Sequence, residues 1–228
     1  MTTMRSGQFD DQRSTRKASN TGLPPVIQFT TVSSFRLVWL DHGDNARLEL
    51  GIWRPILTSG AMFLGDHGQG NLGNPMQTVY LISDILNDDP NSPALLPPIG
   101  FSLLWWYGTS RIGFPIEKHP GDLVNAVWTL VAPRNYVPCG SIGTSTTLDQ
   151  NMNPIPPNFI PGLVCVCQDL AKNIPSSQAQ FVWNDGRDGN PLNLSIRQIP
   201  GLNTMIANNV ADLYAPPNAT FVPSNSPG

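Results

Sequence analysis

The chain has 228 residues and a formal net charge of −3, and only 13% of its residues are charged, against about 25% in ordinary globular proteins. So few charged side chains argue against a coiled coil or helix bundle, and the acidic balance argues against a nucleic-acid binder. The 23 prolines and the nearly exclusive use of aspartate as the acidic residue instead predict strands joined by turns.

The N-terminal segment, residues 1–25, lacks the apolar stretch of a secretory signal peptide. We expect a disordered tail over 1–25 and a single folded domain over 26–228. No segment approaches the roughly 18 apolar residues of a transmembrane helix. We therefore expect a protein that is cytoplasmic, or released without a classical signal peptide.

An internal repeat organises the folded part. An aromatic segment ending in tryptophan occurs three times, so that Trp39 matches Trp105 and Trp183. The first and third copies align without a gap at an offset of 144 residues, whereas the second carries an insertion of nine residues between Trp105 and Trp128. These matches predict three units, at about 26–98, 99–178 and 179–228.

Within each unit the apolar residues recur with a period of two, which is typical of half-buried strands. Phe35, Leu37 and Trp39 are predicted to face the same side. A short helix is predicted around residues 205–213. Three β units that each have an apolar face to bury predict an all-β, pseudo-three-fold β-prism of three antiparallel sheets around the repeated tryptophans. A β-trefoil is the alternative fold.

Acidic turns follow two of the repeated tryptophans and are the first candidate site. Their carboxylates could bind calcium, which prefers clustered oxygen ligands, and their carboxylates and amides could bind sugar hydroxyls. Ordinary Asx turns without a ligand use the same residues. The predicted contacts are Asp41, Asp44, Asn45, Asp185, Asp188 and Asn190, and the calcium ligands among them are Asp41, Asp44, Asp185 and Asp188.

The second candidate is the aromatic pair Trp106 and Tyr107. Because neighbouring residues of a strand face opposite sides, Trp106 is predicted to point away from the core that holds Trp105. An outward Trp106, with Tyr107 at the strand end, could stack on a sugar or lie at a membrane interface. The alternative is a second core beneath a covering loop.

Two other residue types are expected to be structural or solvated. The three cysteines, Cys139, Cys165 and Cys167, are an odd number without further metal ligands nearby, which predicts reduced and mostly buried thiols. The histidines that follow Asp41 and Asp66 are predicted to lie on the surface, because no third metal ligand is apparent for either.

The repeated motifs resemble a known family. The first unit contains V-W-x-D-x-G at residues 38–43, I-W-R-P at 52–55 and L-G-D at 64–66, and Pro161 with Cys165 supplies the last element. This pattern is similar to the vacuolar-protein-sorting-sixty-two family and to related β-prism modules, which also occur at the C-termini of perforin-like pore-forming toxins. The second and third units depart from it, most clearly where Arg197 replaces the second tryptophan.

The resemblance implies a three-sheet β-prism without enzymatic activity, and no nucleophile–base set is recognisable in the sequence. We therefore expect a non-enzymatic, lectin-like recognition module that binds glycans or lipid head groups through loops of the prism, with calcium as the one conceivable cofactor. The alternative is a targeting component of a pore-forming, defensive toxin system, which would require a pore-forming protein partner.

Overall fold

The computed structural model describes residues 23–41, 48–107, 118–185, 193–209 and 220–227. Sixteen strands and two short 3₁₀ turns, Gln168–Leu170 and Ser176–Gln178, lie in these ranges. None of the described residues forms a helix long and apolar enough to cross a membrane. The strands, in chain order, are β1 Val26–Val32, β2 Phe35–Leu40, β3 Gly51–Pro55, β4 His67–Gln69, β5 Val79–Leu86, β6 Leu95–Leu96, β7 Gly100–Tyr107, β8 Leu123–Val131, β9 Tyr136–Val137, β10 Ser141–Thr147, β11 Cys165–Cys167, β12 Ala171–Ile174, β13 Gln180–Asn184, β14 Ser195–Gln198, β15 Met205–Asn208 and β16 Thr220–Pro223.

Three antiparallel sheets of three strands repeat along the chain. Their strand orders are β2-β3-β4, β7-β8-β10 and β13-β14-β15. Each places its repeated tryptophan in the same register: the partners of Trp39, Trp105 and Trp183 are Ile52, Val127 and Ile196. Smaller sheets pair β1 with β5, β11 with β6 and β9, and β12 with β16. The predicted all-β, pseudo-three-fold β-prism is confirmed.

A β-bulge precedes each repeated tryptophan. The register shifts between Leu37 and Trp39, and at the equivalent positions in the other two sheets. The inserted residue, Val38 in the first unit, resets the alternation of the strand. Trp39 is buried as a result, whereas Leu37 is 47% exposed. The prediction that Leu37 and Trp39 share a face is wrong, because a strict two-residue period does not allow for an inserted residue.

The three tryptophans meet at the centre of the prism. The ring centroid of Trp105 lies 5.4 Å from that of Trp39 and 6.1 Å from that of Trp183. Trp105 and Trp183 are fully buried, and Trp39 is almost so. These residues form one core with the residues opposite them in the middle strands. We call Trp39, Trp105 and Trp183 the axial cluster.

A buried ion pair joins the first sheet to the second. Arg54 Nε and Nη2 donate to the two carboxylate oxygens of Asp66 at 2.7 and 2.8 Å. Gly143 completes the arrangement: its N–H donates to Asp66 Oδ2 at 2.9 Å, and its carbonyl accepts from Arg54 Nη2 at 2.8 Å. Burial favours a lower pKa for Arg54, but the charge and hydrogen bonds of Asp66 outweigh it, so the pKa is raised and Arg54 stays charged.

The third strands of the sheets are joined where they begin. The N–H of Asp66 donates to the carbonyl of Ser141 at 2.9 Å, and the N–H of Met205 donates to the carbonyl of Asp66 at 2.7 Å. Two backbone segments approach so closely here that a Cβ placed on Gly140 would lie 2.7 Å from the carbonyl oxygen of Leu64. These contacts hold the three sheets in a fixed arrangement around the axis.

The helix predicted around residues 205–213 is wrong for the part that the structure describes. Met205–Asn208 is strand β15, which pairs with β14. Met205 and Ala207 face the axial core, whereas Ile206 and Asn208 face the other way. Apolar residues at alternate positions therefore serve a strand here, and residues 210–213 lie outside the described ranges.

The three cysteines are free thiols, as predicted. Cys139 and Cys165 are buried and Cys167 is half-buried. Burial raises the pKa of Cys139 and that of Cys165, the latter to about 12. Both buried thiols therefore stay protonated at neutral pH and act as small apolar core residues.

Candidate functional site

The first hairpin of each sheet turns at the same end of the prism. Strands β2, β7 and β13 lead to Asp41, Tyr107 and Asp185, each two residues beyond a member of the axial cluster. Because the rings of that cluster touch, these three positions surround the axis at one end. We call this the loop end. The loops themselves, 42–47, 108–117 and 186–192, lie outside the described residues.

Asp41 and Asp185 are buried at the bases of their hairpins. The N–H of Asp185 donates to the carbonyl of Leu194 at 3.1 Å, and the N–H of Leu194 donates back to Asp185 Oδ1 at 2.9 Å. Asp41 makes the equivalent backbone contact with Leu50 at 2.8 Å. Asp185 Oδ2 accepts from Trp105 Nε1 at 2.9 Å. This carboxylate therefore closes one hairpin and fastens it to the axial cluster.

The predicted calcium site gains no support from the described aspartates. Both oxygens of Asp185 already accept hydrogen bonds from the protein. The described ranges contain no group of three His, Cys, Asp or Glu side chains that could hold a metal ion. The remaining predicted turn contacts, Asp44, Asn45, Asp188 and Asn190, lie outside the described residues. Calcium binding by Asp41, Asp44, Asp185 and Asp188 therefore stays a prediction.

Trp106 faces away from the axis, as predicted, but it is not exposed. It is 8% exposed and packs in a second core with Trp128, Leu148 and Ile160. The burial disagrees with Trp106 as an exposed stacking surface and agrees with the alternative, a second core beneath a covering segment. Tyr107 is half-buried, with its ring centroid 6.2 Å from that of Trp105.

The second sheet extends beyond the other two at the loop end. Register makes Ala126 the counterpart of Gly51, where β3 begins, but β8 begins three residues earlier at Leu123. Strand β10 likewise continues three residues past Thr144. At about 3.3 Å per residue, the sheet projects about 10 Å further. The nine-residue insertion, which lies between Trp105 and Trp128, accounts for the extension of β8 at residues 123–125, and β10 pairs with it through residues 145–147. We call residues 123–125 and 145–147 the overhang.

The overhang combines apolar and hydrogen-bonding groups. Leu123, on β8, is 69% exposed. Ile155 is 45% exposed, and its N–H donates to the carbonyl of Thr147 on β10 at 2.9 Å. Between β10 and β8, Ser145 Oγ donates to Asn125 Oδ1 at 2.7 Å. Sequence reasoning did not select these residues, although the insertion was a signal that could have pointed to Leu123 and Asn125.

His67 is buried at the junction of the first and third sheets, so its predicted surface position is wrong. It is 1% exposed, and its Nδ1 lies 2.8 Å from the carbonyl oxygen of Asn203. Nδ1 also lies 3.1 Å from Gln198 Nε2. The shorter contact is to a carbonyl, which can only accept, so we assign the proton of the neutral ring to Nδ1, which then cannot accept from Gln198 Nε2. Burial lowers the pKa of His67, and the hydrogen bonds of the ring offset this only in part.

His67 is expected to make the protein less stable in mild acid. The pKa is about 6.5 in the unfolded chain and lower in the folded one, so the full stability is present above about 6.5. Below that pH the unfolded state binds a proton first and stability falls. Between pH 7.5 and 5.0 the free energy of unfolding, measured with urea, should fall less for His67→Asn than for the wild type. In the control His119→Asn, which changes an exposed residue, it should fall as much as in the wild type. A fall in His67→Asn as large as that of the wild type would contradict the assignment.

No protein-family model and no curated protein matches the sequence. Among solved structures, the fold is similar to the crystal structure of GNIP1Aa from Chromobacterium piscinae, with a TM-score of 0.62 over 83% of this chain and 22% sequence identity. The matching region spans 34% of the GNIP1Aa chain. The fold implied by the sequence resemblance is thereby confirmed, while membership of the vacuolar-protein-sorting-sixty-two family stays a prediction. This chain is a β-prism related in fold to part of a longer protein.

Proposed function

We propose that the protein is a non-enzymatic recognition module that binds glycans or lipid head groups through its loop end. The observation that carries this proposal is the convergence of three hairpins on one buried aromatic cluster. The described bases of the hairpins are held by backbone contacts, and Asp185 is fixed further by Trp105. A rigid scaffold that presents several loops at one end is a common arrangement for binding sites.

The overhang is a second reason to place the binding surface at the loop end. Leu123 offers an exposed apolar contact, and Asn125 with Ser145 offers hydrogen-bonding groups beside it. Sugars present apolar C–H faces as well as hydroxyls, and lipid head groups lie next to an apolar layer. Either ligand therefore matches a surface that combines an apolar side chain with amide and hydroxyl groups.

A pair of matched variants tests the proposal. Leu123 at the loop end and Ile99 at the opposite end of the second sheet have similar exposure, 69% and 72%. Leu123→Ser is expected to weaken binding about fivefold or more, the usual effect of removing a contact worth over 1 kcal/mol, whereas Ile99→Ser leaves it unchanged. Glycan arrays and liposome sedimentation, each with calcium and with a chelator, supply the measurements.

Two results would contradict the loop end as the binding surface. One is binding that Ile99→Ser weakens as much as Leu123→Ser does. The other is no binding to any glycan or liposome, with or without calcium. If binding requires calcium, replacing Asp44 and Asp188 with alanine should abolish the binding that is seen with calcium.

The second candidate is a targeting component of a pore-forming, defensive toxin system. The observation that favours it is that the same fold occupies about a third of the longer GNIP1Aa chain. A β-prism that forms part of a larger chain there could work here with a separate pore-forming partner. Lysis assays with this protein, with a pore-forming protein if a neighbouring gene encodes one, and with both together would test this. Equal lysis with and without this protein would rule it out.

A further inference from the structure

A row with two exposed aliphatic side chains crosses the overhang on the face turned toward the axis. Register places Leu123 opposite Thr147, and the N–H of Ile155 donates to the carbonyl of Thr147 at 2.9 Å, so the three residues lie side by side on adjacent segments. Leu123 and Val127 are four residues apart on one strand and share a face, and Val127 belongs to the axial core. We call Leu123, Thr147 and Ile155 the apolar row.

No described strand of the other two sheets reaches the apolar row, because those sheets end about 10 Å short of the tip of the overhang. Leu123 and Ile155 are 69% and 45% exposed as a result, whereas the adjacent Val124 points the other way and is buried in the second core. Phe159, further along the segment that carries Ile155, is 65% exposed. Contact with an apolar layer would recover the hydrophobic free energy that these side chains forgo in water.

The segment beside the apolar row presents no unpaired backbone donor. Residues 154–157 join β10 through an antiparallel bridge that begins at Pro154. Their sequence is Pro-Ile-Pro-Pro, so Ile155 has the one N–H among them, and Thr147 accepts it. The carbonyl of Ile155 in turn accepts from Thr146 Oγ1 at 2.6 Å. A segment whose donors are paired or absent enters an apolar environment at little cost, because each unpaired N–H would be penalised there.

The overhang itself carries no charge. Residues 123–125 are Leu-Val-Asn and residues 145–147 are Ser-Thr-Thr. The hydroxyl of Ser145 already donates its one proton to Asn125 Oδ1 at 2.7 Å. Burying this surface therefore requires no charged group to lose its water, which is the most expensive part of entering an apolar layer.

The charged groups next to the overhang do not favour an anionic surface. The adjoining residues 118–122 and 148–153 contain one lysine, Lys118, and two aspartates, Asp122 and Asp149. Both carboxylates accept backbone hydrogen bonds within their own turns, at 2.8–2.9 Å. Binding to anionic lipids usually relies on a cluster of lysines and arginines, and these two segments have no such cluster. The net charge of −3 acts in the same direction.

We propose that the apolar row is a membrane contact that inserts Leu123 and Ile155 into the interface of a bilayer of zwitterionic lipids. This inference rests on the proposed function and deepens it, because it selects lipid over glycan as the ligand. At about 3.3 Å per residue, Asn125 lies about 7 Å behind Leu123, which is the level of the head groups when apolar side chains enter by 5–10 Å. A sugar would instead favour an exposed aromatic platform, and Trp106 is buried.

A fluorescent probe of local polarity, nitrobenzoxadiazole, tests the insertion. It is attached to the full chain at Leu123→Cys or, as the control, at Ile99→Cys, which has similar exposure at the opposite end. Both carry Cys167→Ser, because Cys167 is the one half-buried thiol and the other two are buried. On phosphatidylcholine liposomes, the emission at position 123 should gain intensity and move to shorter wavelength, and that at position 99 should stay unchanged.

Sedimentation with the same liposomes supplies the second measurement. Ile155→Ser is expected to weaken binding about fivefold or more, whereas Ile155→Leu, which keeps the apolar volume, should stay within about twofold of the wild type. Because Ile155 is half exposed, both variants should fold, and their Tm values check this. Liposomes that also contain phosphatidylserine should bind no more tightly than phosphatidylcholine alone.

The possible failures of the membrane contact and of the proposed function are distinguishable. Liposome binding with an unchanged probe at position 123 would overturn the apolar row and leave the loop end open to lipids elsewhere. Glycan binding without any liposome binding would overturn the membrane contact and uphold the proposed function. Binding that needs phosphatidylserine and ignores Ile155→Ser would overturn insertion in favour of charge. Binding to neither glycans nor liposomes would overturn both proposals.

Discussion

Replacing Asp66 with alanine is expected to lower the free energy of unfolding by about 3–5 kcal/mol, because it leaves a buried charge without its partner. Asp66 is fully buried and accepts two hydrogen bonds from Arg54, at 2.7 and 2.8 Å, and one from the N–H of Gly143. All three donors would lose their acceptor at once. A loss of this size is a large part of the roughly 5–15 kcal/mol that stabilises a typical domain.

Urea unfolding of three proteins separates the charge from the packing. They are the wild type, Asp66→Ala, and a double variant in which Arg54→Met and Asp66→Val replace the pair with apolar side chains of similar summed volume. Such replacements are often close to neutral, so the double variant should be much more stable than Asp66→Ala. If both variants lose the same free energy, or if Asp66→Ala loses less than about 1 kcal/mol, the buried pair does not have the role assigned to it.

The sequence predicted the symmetry of the fold because symmetry leaves a repeating pattern of residue types. The matches among Trp39, Trp105 and Trp183 identified the axial cluster, and the partners of these residues in the middle strands follow the same alignment. The nine-residue insertion in the second unit marked the position of the overhang. Both features are encoded by spacing along the chain.

The parts that the sequence did not predict depend on contacts between distant segments. A two-residue period gives no sign of the inserted Val38, and Trp106 is buried by Leu148 and Ile160 from much further along the chain. Asp66 meets Gly143 across 77 residues of sequence. The same limit applied to Asp185: an aspartate at a turn suits a ligand or a hairpin equally well, and only the position of Trp105 showed which partner it has.

Replacing Trp105 with alanine is expected to lower the free energy of unfolding by about 3–5 kcal/mol, the range found for buried tryptophan and phenylalanine. Trp105 is fully buried and its ring touches those of Trp39 and Trp183. Truncation therefore opens a cavity at the point where the three sheets meet. It also removes the N–H that fastens Asp185, so binding at the loop end should weaken together with stability.

A double-mutant cycle separates the hydrogen bond from the packing. Trp105→Phe keeps an aromatic ring but loses the Nε1 donor, and we expect it to cost about 1–3 kcal/mol because Asp185 Oδ2 loses a buried partner. Asp185→Ala removes the other end of the same bond. Because the two changes share one interaction, their combined cost should fall short of the sum by about 0.5–3 kcal/mol. Additive costs would mean that Trp105 acts through packing alone and does not hold the third hairpin at the loop end.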